Sequence, residues 1–131
     1  MKCLLDTHTF LWAMLTPERI GNKTGALMAE GDSQFFLSIA SVWELAIKTA
    51  LGKLQLPKEP LTYVQTRTQA NGIALLPIAL EHVCASAKLP RWHGDPFDRM
   101  LIAQAQIEKM ILVSGDRAFK RYKVDLRDPQ R

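Results

Sequence analysis

Five short apolar runs punctuate this chain, at Cys3–Leu5, Gln34–Leu37, Ile73–Leu76, Ile111–Val113 and, more weakly, Lys123–Leu126, with helical segments between them. No other feature narrows the choice of fold as much. A helical crossover returns the chain to the same end of a sheet, so strands joined this way pair in parallel. Parallel strands covered on both faces lose the polar alternation of a half-solvated sheet and read as continuous leucine-rich or β-branched stretches. The expected fold is α/β, with a central, mostly parallel sheet of four or five short strands and helices on both faces. At 131 residues the chain is one domain, spanning 1–131.

Local signals place the helices. Asp6 or Thr7 caps a helix to Leu15, closed by Pro17, and a second helix is expected from Pro17 to Ala29, weakened by Gly21 and Gly25. Ser38 or Ser41 opens a third, running to Leu51 with Gly52 as its stop. Further helices are expected at Leu61–Ala70, Leu80–Ala87 and Arg117–Tyr122. Asp95-Pro96 starts the strongest one, to about Lys109, with Asp as cap and Pro at the first helical position.

Four acids stand out against this frame: Asp6, Glu44, Asp98 and Asp116. Each sits beside a core-forming run, where a carboxylate loses hydration and needs a partner. Asp6 and Asp116 follow strands, whereas Glu44 and Asp98 lie early in helices, all at the carboxyl edge of a parallel sheet, where such folds bind ligands. Singly, each has a bland explanation: Asp6 and Asp116 as caps, Asp98 as a helix-dipole partner, Glu44 in a Ser41-x-x-Glu44 capping box. Together, four like charges at one rim repel unless a cation lies among them. No matching Lys or Arg stands next to all four, and oxygen ligands suit Mg²⁺ or Mn²⁺. One or two ions would fit, for phosphodiester chemistry.

Other candidates carry two readings each. Thr7 and Ser114 could hold a water or a carboxylate, or satisfy turn backbone. Asp95 reads as a cap or an outer acid. Lys48 could pair with Glu44 at i,i+4 or face a phosphate. Arg99 and Arg117 could bind phosphate or form solvated ion pairs. His8, His82 and His93 share no ligand spacing and read as loop or surface residues. Trp43 reads as core, and Trp92 as a surface to stack a base. The C-terminal Arg and Lys residues form either a backbone-binding patch or a solvated tail.

The totals agree with a nuclease without requiring one. A net charge of +4 and pI near 9.3 suit a polyanionic partner such as RNA or DNA. Two cysteines far apart make neither a disulfide framework nor a zinc site, which indicates a reducing, cytoplasmic setting. No apolar stretch reaches membrane-span length and the N-terminus does not read as a signal peptide.

Four blocks also resemble PIN-domain ribonucleases of the VapC toxin type. They are Leu4-Leu5-Asp6-Thr7-His8-Thr9-Phe10-Leu11-Trp12, Ser41-Val42-Trp43-Glu44-Leu45-Ala46-Ile47-Lys48 followed by Gly52-Lys53-Leu54, Asp95-Pro96-Phe97-Asp98-Arg99-Met100-Leu101-Ile102-Ala103-Gln104-Ala105, and Leu112-Val113-Ser114-Gly115-Asp116. They occur in that family's order across almost the whole chain. The resemblance implies a PIN-like domain acting as an Mg²⁺- or Mn²⁺-dependent endoribonuclease, with Asp6, Glu44, Asp98 and Asp116 as metal-binding and catalytic acids. It further implies a homodimer paired with a small antitoxin. Two rivals stand beside it: a nucleic-acid-binding module that does not catalyse, and a metal-dependent DNA nuclease.

Overall fold

The computed structural model describes all 131 residues. Five strands, β1 (Lys2–Leu5), β2 (Gln34–Ser38), β3 (Ile73–Leu76), β4 (Ile111–Val113) and β5 (Leu126–Arg127), form one sheet in the order β3-β2-β1-β4-β5. Every pairing is parallel, not merely most of them. Six helices surround it: α1 (Thr7–Leu15), α2 (Asn22–Ala29), α3 (Ile39–Ala50), α4 (Pro60–Ala70), α5 (Leu80–Lys88) and α6 (Pro96–Glu108). None is long and apolar enough to cross a membrane.

Strand alternation divides the apolar side chains between two cores. Cys3 and Leu5 of β1 point into one, with Leu37, Val113, Phe10 of α1, Leu45 of α3 and Tyr63 and Val64 of α4. Leu4 points into the other, with Leu112 and with Leu101, Ile102 and Ala105 of α6. Burying β1 on both faces explains why its sequence shows no polar alternation.

The chain steps from β1 to β2 and β3 on one side, then crosses to β4 and β5 on the other. The strand order therefore reverses between β1 and β4. In open parallel sheets the crevice for a ligand opens at such a point, beyond the carboxyl ends of the strands. Asp6 ends β1 and Ser114-Gly115-Asp116 follows β4, so both lie at this crevice.

Three expectations need correction. The helix expected over Pro17–Ala29 is a single 3₁₀ turn, Pro17–Arg19, followed by α2 from Asn22. Gly21 breaks it because the C-terminal segment docks there: Gly21 N–H donates to Pro129 O and Thr24 N–H to Arg131 O. A Cβ on Gly21 would lie 2.3 Å from the backbone of Arg131, so only glycine fits. Ser38, not Ser41, caps α3, accepting from Ala40 N–H, which leaves Glu44 in the second turn and removes the capping box. The last strand is Leu126–Arg127, later than expected over Lys123–Leu126, because Ser114 N–H bonds to Arg127 O.

Candidate active site

Caps and hydroxyls set the crevice walls. Asp6 is buried and caps α1, its Oδ1 accepting from Thr9 N–H at 2.8 Å. Val113 O takes two donors, Asp6 N–H and Thr9 Oγ1, which lock the end of β1 and the start of α1 onto β4. Asp116 caps the turn Arg117–Arg121 through Ala118 N–H, and Ser114 Oγ accepts from Asp116 N–H. Asp95 caps α6 by accepting from Phe97 and Asp98 N–H, with Pro96 at the first helical position.

Glu44 is buried with both oxygens engaged. Thr7 Oγ1 lies 2.7 Å from Oε1 and 3.0 Å from Ser41 Oγ. Thr7 has a single hydroxyl hydrogen, which goes to the closer carboxylate, while Ser41 supplies its own in return. Lys48 Nζ lies 2.8 Å from Oε2, so the i,i+4 ion pair is formed. Lys48 therefore neutralises Glu44 across part of the rim.

Asp98 is the least satisfied of the four. Its carboxyl is pushed up to about 7 by burial first, then by Asp95, with Glu44 and Asp116 adding repulsion, while His93 pulls it down. Its principal neighbour is His93, whose Nε2 is 2.8 Å from Oδ2 of Asp98 and 3.5 Å from Oδ2 of Asp116. Neither approach is aligned well enough for a hydrogen bond, which leaves that buried nitrogen unpaired. His93 Nδ1 accepts from Asp95 N–H at 3.3 Å. The neutral ring thus carries its hydrogen on Nε2, facing the carboxylates as a donor. His93, Asp98 and Asp116 each offer one atom within 4.8 Å of the others.

Several side chains depart from their sequence reading. His93 is part of this cluster, not a surface residue, and nothing in its spacing from Asp98 or Asp116 signals that. His82 is buried: its Nδ1 accepts from Ala79 N–H and its Nε2 meets Glu108 Oε2 at 2.9 Å, joining α5 to α6. Arg99 is not free to bind phosphate. It is 6% exposed, and its guanidinium donates to the carbonyls of Ser86, Leu89, Pro90 and His93. Those bonds fix the loop that carries His93. Trp43 is 60% exposed rather than core, resting edge-on against Phe97. Trp92 packs on Tyr122 with the Arg121 guanidinium over its ring. Arg117 is exposed beside Asp116, and His8 is exposed.

The PIN domain family profile matches residues 3–125. This chain belongs to the PIN domain family. The match takes in β2, β3 and β4, β1 from Cys3 onward and the four acids of the crevice, and it stops just before β5. Among curated proteins, this PIN domain is 36% identical over 61 residues to ribonuclease VapC16 of Mycobacterium tuberculosis. That alignment takes in 47% of this chain and 42% of the relative, so it spans less than half the length of the curated protein it matches. Solved structures show the fold end to end. VapBC-1 of Haemophilus influenzae superposes with a TM-score of 0.72, 17% identity and 100% of both chains. VapBC2 of Rickettsia felis, bound to a promoter DNA fragment, gives 0.70 and 16%, covering 97% of this PIN domain and 98% of that chain. At such identities the likeness is one of fold.

Proposed function

We propose that this PIN domain is a divalent-metal-dependent endoribonuclease, the toxin of a toxin–antitoxin pair. The observation that carries the reading is geometric: at the switch point of the sheet Asp98 and Asp116 each bring a carboxylate oxygen within 4.8 Å of the other, and burial, Asp95, Glu44 and Asp116 raise the Asp98 carboxyl to about 7. Such a site is built for a missing positive charge. The donor set fits one. The protein gives the Asp98 carboxylate no aligned hydrogen bond, and Asp116 brings a second carboxylate oxygen within 4.8 Å of it. Asp98 and Asp116 would hold the ion with Asp6, and Glu44 would join through the oxygen that Lys48 now takes. Carboxylate oxygens favour Mg²⁺ or Mn²⁺ over softer metals. With its hydrogen on Nε2, His93 offers a donor and no lone pair, so it orients the carboxylates and is not a ligand.

When bound, such an ion supplies positive charge against the negative charge that builds on phosphate oxygens during hydrolysis. The chain's own residues do the positioning. Thr7 and Ser41 fix the Glu44 rotamer, Asp95 fixes the first turn of α6 and hence Asp98, and Arg99 fixes the loop behind His93. Asp98 and Glu44 are the groups able to orient an attacking water or take its proton. RNA as substrate is supported by the relative named a ribonuclease, and an antitoxin partner by the VapBC complexes that share the fold. A homodimer carrying a small antitoxin is the assembly this reading expects.

The test is cleavage of matched single-stranded RNA and DNA with Mn²⁺, with Mg²⁺ and with EDTA. The reading expects RNA to be cut with either ion, no cutting in EDTA, and loss of cutting in Asp98→Asn at an unchanged melting temperature with EDTA at acidic pH. Preferential cutting of DNA makes the protein a DNA nuclease. Equal cutting by wild type and variant removes the site.

A further inference from the structure

Beyond Asp116 the crevice continues into a cavity of about 520 Å³ on the β5 side. Five cationic side chains line it, Lys23, Arg117, Lys120, Arg127 and Arg131, against two acids, Asp116 and Asp128. They come from four separate segments: α2, the turn after β4, β5 and the C-terminal tail. Gathering five positive groups around one hollow is costly unless something negative enters it.

The acids present do not fulfil that role. None of the five cations comes within 4 Å of a carboxylate, since the ion pairs of this protein all lie elsewhere. Asp116 and Asp128 spend an oxygen each on backbone N–H groups, of Ala118 and Gln130. The tail is not a loosely solvated strand. Gly21 and Thr24 N–H donate to backbone oxygens of Pro129 and Arg131, Thr24 Oγ1 donates to the carbonyl of Asp128, and Pro129 is buried. Arg127 is fixed by the ladder of β5 on β4. The backbone positions that carry the cations are therefore fixed around the hollow, while Lys23, Arg117, Lys120 and Arg131 keep exposed side chains free to meet a ligand.

We propose that this basin binds the phosphodiester backbone of single-stranded RNA, holding the substrate on the Asp116 side of the scissile bond. The proposal rests on the ribonuclease reading for its substrate, and the basin itself rests on the charges above. Cations aimed at phosphates give affinity that falls with salt and reads little sequence. The basin thus positions the strand, and the choice of cleavage sequence lies with other surfaces.

Binding measured in EDTA separates this proposal from cleavage. A labelled ten-nucleotide single-stranded RNA is titrated with wild type, with Lys120→Ala/Arg127→Ala, and with Lys2→Ala/Lys123→Ala. The last pair removes the same charge from the opposite, amino-terminal end of the strands. The expected result is at least tenfold weaker binding for the basin variant only, with a log Kd against log salt slope shallower by about 1.4, or 0.7 per lost phosphate contact. Circular dichroism melts check that both variants fold. Wild-type affinity in the basin variant, or equal weakening in both variants, overturns the proposal. Tighter binding of a matched single-stranded DNA assigns the basin to DNA and overturns the RNA assignment. If the basin variant alone loses RNA binding while wild type fails to cut RNA with Mn²⁺, the ribonuclease reading falls and the basin stands.

Discussion

His93 Nε2 lies 2.8 Å from Oδ2 of Asp98, at an angle too oblique for a hydrogen bond. The ring holds down a carboxyl that burial, Asp95, Glu44 and Asp116 all push up. Removing it should let the carboxyl rise further. His93→Ala is expected to move the acid limb of Mn²⁺-dependent RNA cleavage to higher pH, with the alkaline rate largely kept. A pH–rate profile checks this, and an unmoved acid limb denies His93 its role.

Asp98 also sets how stability varies with pH. It titrates at about 7 in the fold against an ordinary value of 3.8, so between these values the folded protein keeps a proton that the unfolded chain has released. Its contribution is fully present below pH 3.8 and is lost as the pH rises through 7. In EDTA, the metal-free protein should lose stability over that window, on the order of 2–4 kcal/mol for a shift of this size. Asp98→Asn should flatten the slope, and Mn²⁺ should restore wild-type stability above pH 7 by mass action. Melts from pH 4 to 8 read all three.

Arg99 presents a different dependence. Its guanidinium satisfies four backbone carbonyls between Ser86 and His93, and alanine would strip this donor from Ser86, Leu89 and His93 while Pro90 O keeps the Tyr122 hydroxyl. The expected cost is about 3–5 kcal/mol. Lysine should not rescue it, because three donors on a flexible stem cannot reproduce a planar fork that serves four acceptors. Denaturant unfolding gives the cost, and limited proteolysis should show earlier cleavage within residues 86–94.

Thr7→Val tests the support of Glu44. The substitution keeps shape and β-branching while deleting the hydroxyl that donates to Oε1 at 2.7 Å. A loss of about 1–3 kcal/mol is expected from the unpaired buried acceptor. Activity should fall with it through a lower kcat, because a loosened Glu44 no longer holds its rotamer. Unchanged stability together with unchanged kcat would remove Thr7 from the account.

The features that depend on neighbours in sequence were legible. Asp6 capping α1, Asp95-Pro96 opening α6 and Gly52 turning the chain after α3 all follow from local backbone chemistry. So did the parallel sheet, since its strands carry no polar alternation. What escaped depends on contacts between distant segments. Gly21 ends a helix because the far end of the chain docks on it. Arg99 follows an acid and looks solvent-bound, yet a loop folds back to wrap its guanidinium. His93 precedes Asp98 by a loop and a cap, a spacing that signals nothing until α6 turns both toward Asp116. Trp43 faces outward because Val42 and Leu45 of the same helix already fill the core side.

The central claim is that carboxylates from distant parts of the chain share a divalent cation at the end of β1 and β4. Titration calorimetry with Mn²⁺ addresses it without any substrate. Wild type should show a saturable heat that Mg²⁺ competes away, and Asp98→Asn and Asp116→Asn, still folded, should lose it. No heat from wild type, or the same heat from both variants, would contradict the claim.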